Sequence, residues 1–141
     1  MPDTASLQSL NIDYDAMKWG DAEPFYGPGA RVDGNEIVQL KVLSDRRGAG
    51  GGIAWLVRFL PPPGKLIKIV AVARSDEHIF TLEGGRGTKS GELRRGAGSY
   101  GLNPTGKPHS AFIATETVAY IVYTGEPDEV RSIELVDRAE P

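Results

Sequence analysis

Short β-rich segments, separated by turn residues and with almost no helical spacing between them, limit what this chain can fold into. "EIVQLKVLSD" (36–45) alternates apolar and polar residues, as a half-buried strand does. "GIAWLVRFL" (52–60) is apolar throughout except for Arg58, and stops at "PPPG" (61–64). "KLIKIVAVA" (65–73), "HIFTLEG" (78–84), "HSAFIA" (109–114), "VAYIVYTG" (118–125) and "RSIELVD" (131–137) follow. Their Val, Ile, Phe and Tyr content suits pleated, packed backbone. Eighteen glycines and ten prolines supply the punctuation. Seven such segments predict an all-β fold, an antiparallel sandwich or barrel. Residues 36–137 form the predicted barrel core and residues 1–35 an irregular N-terminal arm, together a single domain of 141 residues. "ATETV" (114–118) reads as a tight hairpin turn.

Composition narrows the function classes. A net charge of -3 argues against general nucleic-acid binding, which needs a concentrated basic face. The one basic run, "RGTKSGELRR" (86–95), is broken by Gly and Glu and reads as a solvated hairpin loop. No segment approaches the roughly 20 apolar residues of a membrane helix. "MPDTASLQSL" (1–10) lacks the basic start and apolar stretch of a signal peptide, which predicts a cytoplasmic location. With no cysteine there is no disulfide, thiolate metal site or cysteine nucleophile. "RRGAGGGI" (46–53) fails the dinucleotide pattern, because Ile53 stands at its third glycine and no helix follows. "GGRGTKS" (84–90) fails as a phosphate loop, because Thr88 stands where a glycine must precede the lysine.

Three stretches together resemble the cupin family, in its small single-domain members. "LSDRRGAGGGIAWLVRFLPPPG" (43–64) is similar to the family's strand, loop and strand leading to a Pro-Gly turn. "SDEHIFTLEGG" (75–85) matches the end of the first cupin motif. "GAGSYGLNPTGKPHSAFIA" (96–114) matches the second, with Gly98, Pro104, Gly106 and His109 on its pattern. The resemblance implies an antiparallel double-stranded β-helix, the cupin jelly roll, whose lumen holds a metal. Registering Leu82-Glu83-Gly84 on the family turn puts the metal-binding Glu at Glu77 and the family's His-x-His pair at Ala71 and Ala73. Glu77 and His109 are the remaining candidate ligands and the candidate catalytic pair. An alternative register makes His78 the first histidine, with Glu83 as the acid.

A transition-metal site usually needs three protein ligands, so the two alanines predict a degenerate one: no cofactor, or a weakly held Fe, Mn, Ni or Zn. Ala71 and Ala73 share strand parity with Ile67, Ile69 and Glu77, whereas His78 takes the opposite parity. Ala71, Ala73, His78 and Tyr100 are the remaining pocket candidates. Three functions stay open. One is a metal-dependent enzyme, like the family's diketone- or acetophenone-cleaving oxygenases, or a lyase. Another is a metal-free pocket for a small apolar or carbonyl-containing molecule, with Glu77 and His109 as base and acid. The last is a non-catalytic sensor or interaction module. The expected partners are a small-molecule ligand and a second copy of the chain in a homodimer.

Overall fold

The computed structural model describes residues 8–139. Where the sequence alternates, a strand forms. Strands β4 (Val38–Asp45), β5 (Ile53–Phe59), β6 (Lys65–Val72), β7 (Glu77–Glu83), β11 (Pro108–Ile113), β12 (Thr117–Tyr123) and β13 (Glu129–Asp137) fall on the seven β-rich segments. Six short ones join them: β1 (Gly20–Asp21), β2 (Arg31–Val32), β3 (Asn35–Glu36), β8 (Gly85–Gly87), β9 (Leu93–Gly96) and β10 (Tyr100–Asn103). A single helix of four residues, α1 (Glu23–Tyr26), and three 3-10 turns make up the helical content of the described residues. No helix among them is long and apolar enough to cross a membrane.

The strands build two antiparallel sheets, ordered β1-β4-β5-β12-β7-β10 and β13-β6-β11-β8-β9, with β2 and β3 paired apart. This is the antiparallel all-β architecture that the periodicity predicts, in the jelly-roll form that the resemblance implies. The inner faces meet in one apolar cluster: Trp55, Val57 and Ile121 from the first sheet, Ile67, Ile69 and Ile113 from the second. Full burial of each such side chain contributes about 1.5–3 kcal/mol. β5 is buried on both faces, which explains its unbroken apolar run. Inside, Trp55 and Phe59 meet Phe25 and Tyr26 of the arm. Outside, Lys41 and Arg58 each lie 4.7 Å from the ring of Trp19, and Lys41 Nζ donates to the Tyr14 carbonyl at 2.9 Å. Residues 14–30 therefore cover parts of the barrel wall rather than trailing from it; residues 1–7 of the expected arm lie outside the described residues.

One expectation is corrected. Residues 114–118 are no hairpin turn, because β11 pairs with β6 and β8 while β12 pairs with β5 and β7. The segment crosses between sheets, and the buried hydroxyl of Thr117 pins it by accepting from Gly85 N at 3.0 Å and donating to the Thr115 carbonyl at 2.9 Å. Gly84 makes the crossover possible: its φ is +66°, and a Cβ there would lie 2.2 Å from the Glu116 carbonyl oxygen. Residues 86–95 do form a hairpin, β8 to β9, but Arg86 turns inward from it.

Candidate functional site

Strand alternation sets the site. On β7 the odd residues Glu77, Ile79 and Thr81 face the interior, and Glu77 is only 3% exposed. In register with Glu77 stand Tyr123 on β12 and Asn103 on β10, so three polar side chains share one row across the sheet. Tyr123 donates its hydroxyl to Glu77 Oε2 at 2.7 Å, and Asn103 Nδ2 donates to Oε1 at 2.7 Å. The facing row on the second sheet is Val130, Ala71 and His109, again in register. The Ala71 methyl leaves space beside the imidazole.

His109 Nε2 lies 2.7 Å from Asp128 Oδ2 and 3.6 Å from Glu77 Oε1. An ionised carboxylate only accepts, so Nε2 carries a proton and donates it to Asp128. Asp128 stands in the loop before β13. Arg74 Nε donates to the Pro127 carbonyl and Ser75 Oγ to the Glu126 carbonyl, each at 2.7 Å, which fixes that loop and turns Asp128 inward. Asp128 is 6% exposed, and its Oδ1 is buried without a hydrogen-bond partner.

Burial, and then the Asp128 charge, push the Glu77 carboxyl above its ordinary value of 4.5, against the Tyr123 and Asn103 hydrogen bonds and the His109 charge. The hydrogen bond to Asp128 raises His109 above 6.5, against burial. Burial holds Tyr123 well above 10, so it remains a donor. The raised values fix a sign. The folded protein binds both protons more tightly than the unfolded chain, so their stabilisation fades as pH rises through the folded values. For His109 it is whole below about 6.5 and lost above its raised value. Melting temperature should therefore fall between pH 6 and pH 9 in the wild type and fall less in Asp128→Asn. Equal slopes in differential scanning calorimetry would rule out this coupling.

The three groups line a cavity of about 60 Å³, whose walls also include Ile69, Ile79, Ile113, Ile121 and Val130. At 10–15 Å³ per water-sized group, it admits a ligand of about four to six non-hydrogen atoms. Arg86 also lines it. The structure thus brings Glu77, His109 and Ala71 together at the cavity. Ala73 is buried at 2% but stands outside the lining, its N–H donating to the Lys107 carbonyl. Two further pocket candidates need correction. His78 and Tyr100 lie on the outer face, Nδ1 and the hydroxyl 2.7 Å apart, in an aromatic cluster with Phe80 and Tyr120. β7 keeps its alternation at this point, so an even residue faces outward. The alternative register with His78 as ligand fails for the same reason, and Glu83 is exposed.

Sequence reading missed Asp128, Tyr123, Asn103 and Arg86. Tyr123 carried a signal, because it continues the inward parity of Ala119 and Ile121. With Asp128, three groups offer ligand atoms within 4.8 Å of one another, one imidazole and two carboxylates. That donor set, with the orphaned Oδ1 among it, fits a divalent transition ion.

No protein-family model and no curated protein sequence matches the chain. Solved structures do. A protein of unknown function with a cupin-like fold from Ralstonia eutropha JMP134 is 19% identical with a TM-score of 0.62, over 85% of this chain and 69% of its own. A putative acetylacetone dioxygenase from Methylibium petroleiphilum PM1 is 14% identical with a TM-score of 0.59, over 92% of each chain. The polyketide cyclase RemF from Streptomyces resistomycificus is 20% identical with a TM-score of 0.55, over 94% of this chain and 89% of its own. At these identities the likeness is one of fold, and with the two-sheet jelly roll and its lumenal acid–imidazole cluster it identifies the chain as a cupin-fold barrel.

Proposed function

We propose that the barrel lumen binds a small carbonyl compound and moves a proton on it, with Glu77 as base and His109 as acid. The observation that supports this is the position of His109 Nε2, bonded to Asp128 and 3.6 Å from Glu77 Oε1 in the lining of a largely apolar cavity. A carboxyl raised by burial is a stronger base than a free one, and an imidazolium held charged by Asp128 can meet a developing oxyanion. Glu77 takes the proton from the carbon beside the carbonyl, forming a carboxylic acid and leaving an enolate. The His109 Nε2 proton then passes to the enolate oxygen in place of its bond to Asp128, giving the enol, and the two transfers reverse to return the carbonyl. Tyr123 and Asn103 hold the base in one orientation throughout. Two structures of similar fold are named for acetylacetone and for polyketides, which supports a carbonyl ligand at the level of fold.

The test is hydrogen–deuterium exchange at C3 of 2-butanone in D2O, followed by proton NMR. General-base catalysis should raise the rate about 10²- to 10⁴-fold over buffer. Binding of 2-butanone without exchange would replace this reading with a sensor or binding module.

Asp128 Oδ1 favours a second reading, a metal-dependent oxygenase or lyase. Glu77, His109 and Asp128 would hold a divalent transition ion, which when bound polarises a carbonyl as a Lewis acid. Proton and ion exclude each other at His109 Nε2, because the same lone pair serves both. Adding Mn²⁺ or Zn²⁺ at pH 7 in weak buffer should release about one proton per ion bound, and Asp128→Asn should abolish the release. Uptake unaffected by that variant would place the ion elsewhere.

A further inference from the structure

We infer that Arg86 is the anchor for a carboxylate on the lumenal ligand, which makes the substrate class a small oxo acid rather than a neutral ketone. This rests on the lumen being the ligand site proposed above.

Arg86 lies on β8 between Gly85 and Gly87, and it lines the same cavity as Glu77, His109 and Asp128. Its Nε is buried without a hydrogen-bond partner. Leaving that buried N–H unpaired is costly, and a carboxylate is an acceptor that would satisfy it. The carboxylates nearby are already engaged. Asp128 is taken by His109, and both oxygens of Glu77 accept from Tyr123 and Asn103. No carboxylate among the described residues comes within ion-pair distance of Arg86.

A second feature is the space beside the guanidinium. Gly101 on β10 faces inward, in register with Ile79, and a Cβ there would lie 3.1 Å from Arg86 Nη2. That is the only neighbour such a Cβ would meet within 4 Å, and the backbone of Gly101 is not left-handed. An alanine there would press on the end of the Arg86 side chain by a few tenths of an ångström.

His109 and Asp128 neutralise each other, leaving Arg86 and Glu77 as the remaining lumenal charges. Glu77 makes no ion pair with Arg86, whose planar guanidinium can hold a ligand carboxylate through two parallel hydrogen bonds. The remaining atoms of a four- to six-atom ligand then extend toward Glu77 and His109.

Calorimetric binding of isobutyrate and of its neutral isostere isobutyramide tests this. The wild type should bind isobutyrate more tightly. Arg86→Met should weaken isobutyrate roughly tenfold or more and leave isobutyramide within about twofold. Gly101→Ala, which keeps the charge but crowds it, should weaken isobutyrate in the same direction, so the result does not hang on how well Arg86→Met folds. Wild-type isobutyrate affinity in both variants overturns the anchor, as does a wild type that prefers the amide. The 2-butanone exchange assay separates the two proposals. If exchange persists while isobutyrate binding is indifferent to Arg86, the anchor falls and the proton-transfer reading stands. If exchange is absent while Arg86 still governs isobutyrate, the reverse holds.

Discussion

Glu77→Gln should lower 2-butanone exchange by about 10²- to 10⁴-fold, to near the buffer rate, without destabilising the fold. The amide has the size of the carboxyl but cannot take a proton. Its oxygen still accepts from Tyr123, and its NH2 group meets Asn103, whose side chain can flip to present Oδ1. The stability half of this prediction follows from the direction of the Glu77 shift. Burial and the Asp128 charge make the ionised form costly in the folded state, so at neutral pH the native protein carries a charge that works against folding. Gln removes it. The variant's melting temperature should match the wild type at acid pH and exceed it increasingly as Glu77 ionises. Each kcal/mol appears as about 4 °C in a chain of this size. A variant that loses both activity and several degrees at pH 8 would show that Glu77 is structural.

Much of the fold was legible because one period governs it. Seven strands announced themselves by alternation or by an unbroken apolar run, and the inward parity of Glu77 and outward parity of His78 followed from the same rule. Sheet membership was not legible. β11 and β12 are separated by three residues yet lie in different sheets, and that depends on pairings with strands far away in sequence. Glu77 and His109 could be found because each sits at a fixed distance from a Gly-bearing turn. Asp128 could not. Its inward direction is imposed by Arg74 and Ser75, whose side chains hold the carbonyls just before it from more than fifty residues away. Arg86 was hidden in another way. It begins a basic run whose Lys89, Arg94 and Arg95 are exposed, and only the glycines on either side set it apart. With these two residues the site changes from a metal centre missing two histidines to a lumen lined by two carboxylates, an imidazole and a guanidinium.

Trp55→Ala should cost about 3–5 kcal/mol in urea unfolding, a large share of the roughly 5–15 kcal/mol that holds a domain of this size together. Trp55 is 1% exposed, and its ring centroid lies 4.9 Å from Phe25, 5.9 Å from Tyr26 and 5.1 Å from Tyr123. Truncation leaves a void bounded by the arm on one side and the barrel on the other, two walls that cannot both collapse into it. A loss below about 1 kcal/mol would mean that the arm closes the gap, and that the arm is looser than its packing implies. The consequence for the site is separable with Trp55→Phe, which keeps an aromatic ring there. Tyr123 leans on Trp55 edge-on and lowers the Glu77 titration through its hydrogen bond. Tyr123→Phe deletes that bond, so the base should titrate higher and the pH profile of 2-butanone exchange should move to higher pH. Trp55→Phe should move it the same way by a smaller amount, because a loosened Tyr123 holds the carboxylate less well. If Tyr123→Phe shifts the profile and Trp55→Phe does not, Trp55 supports the core alone. If both shift it, the packing of the arm against β5 reaches the base through one tyrosine.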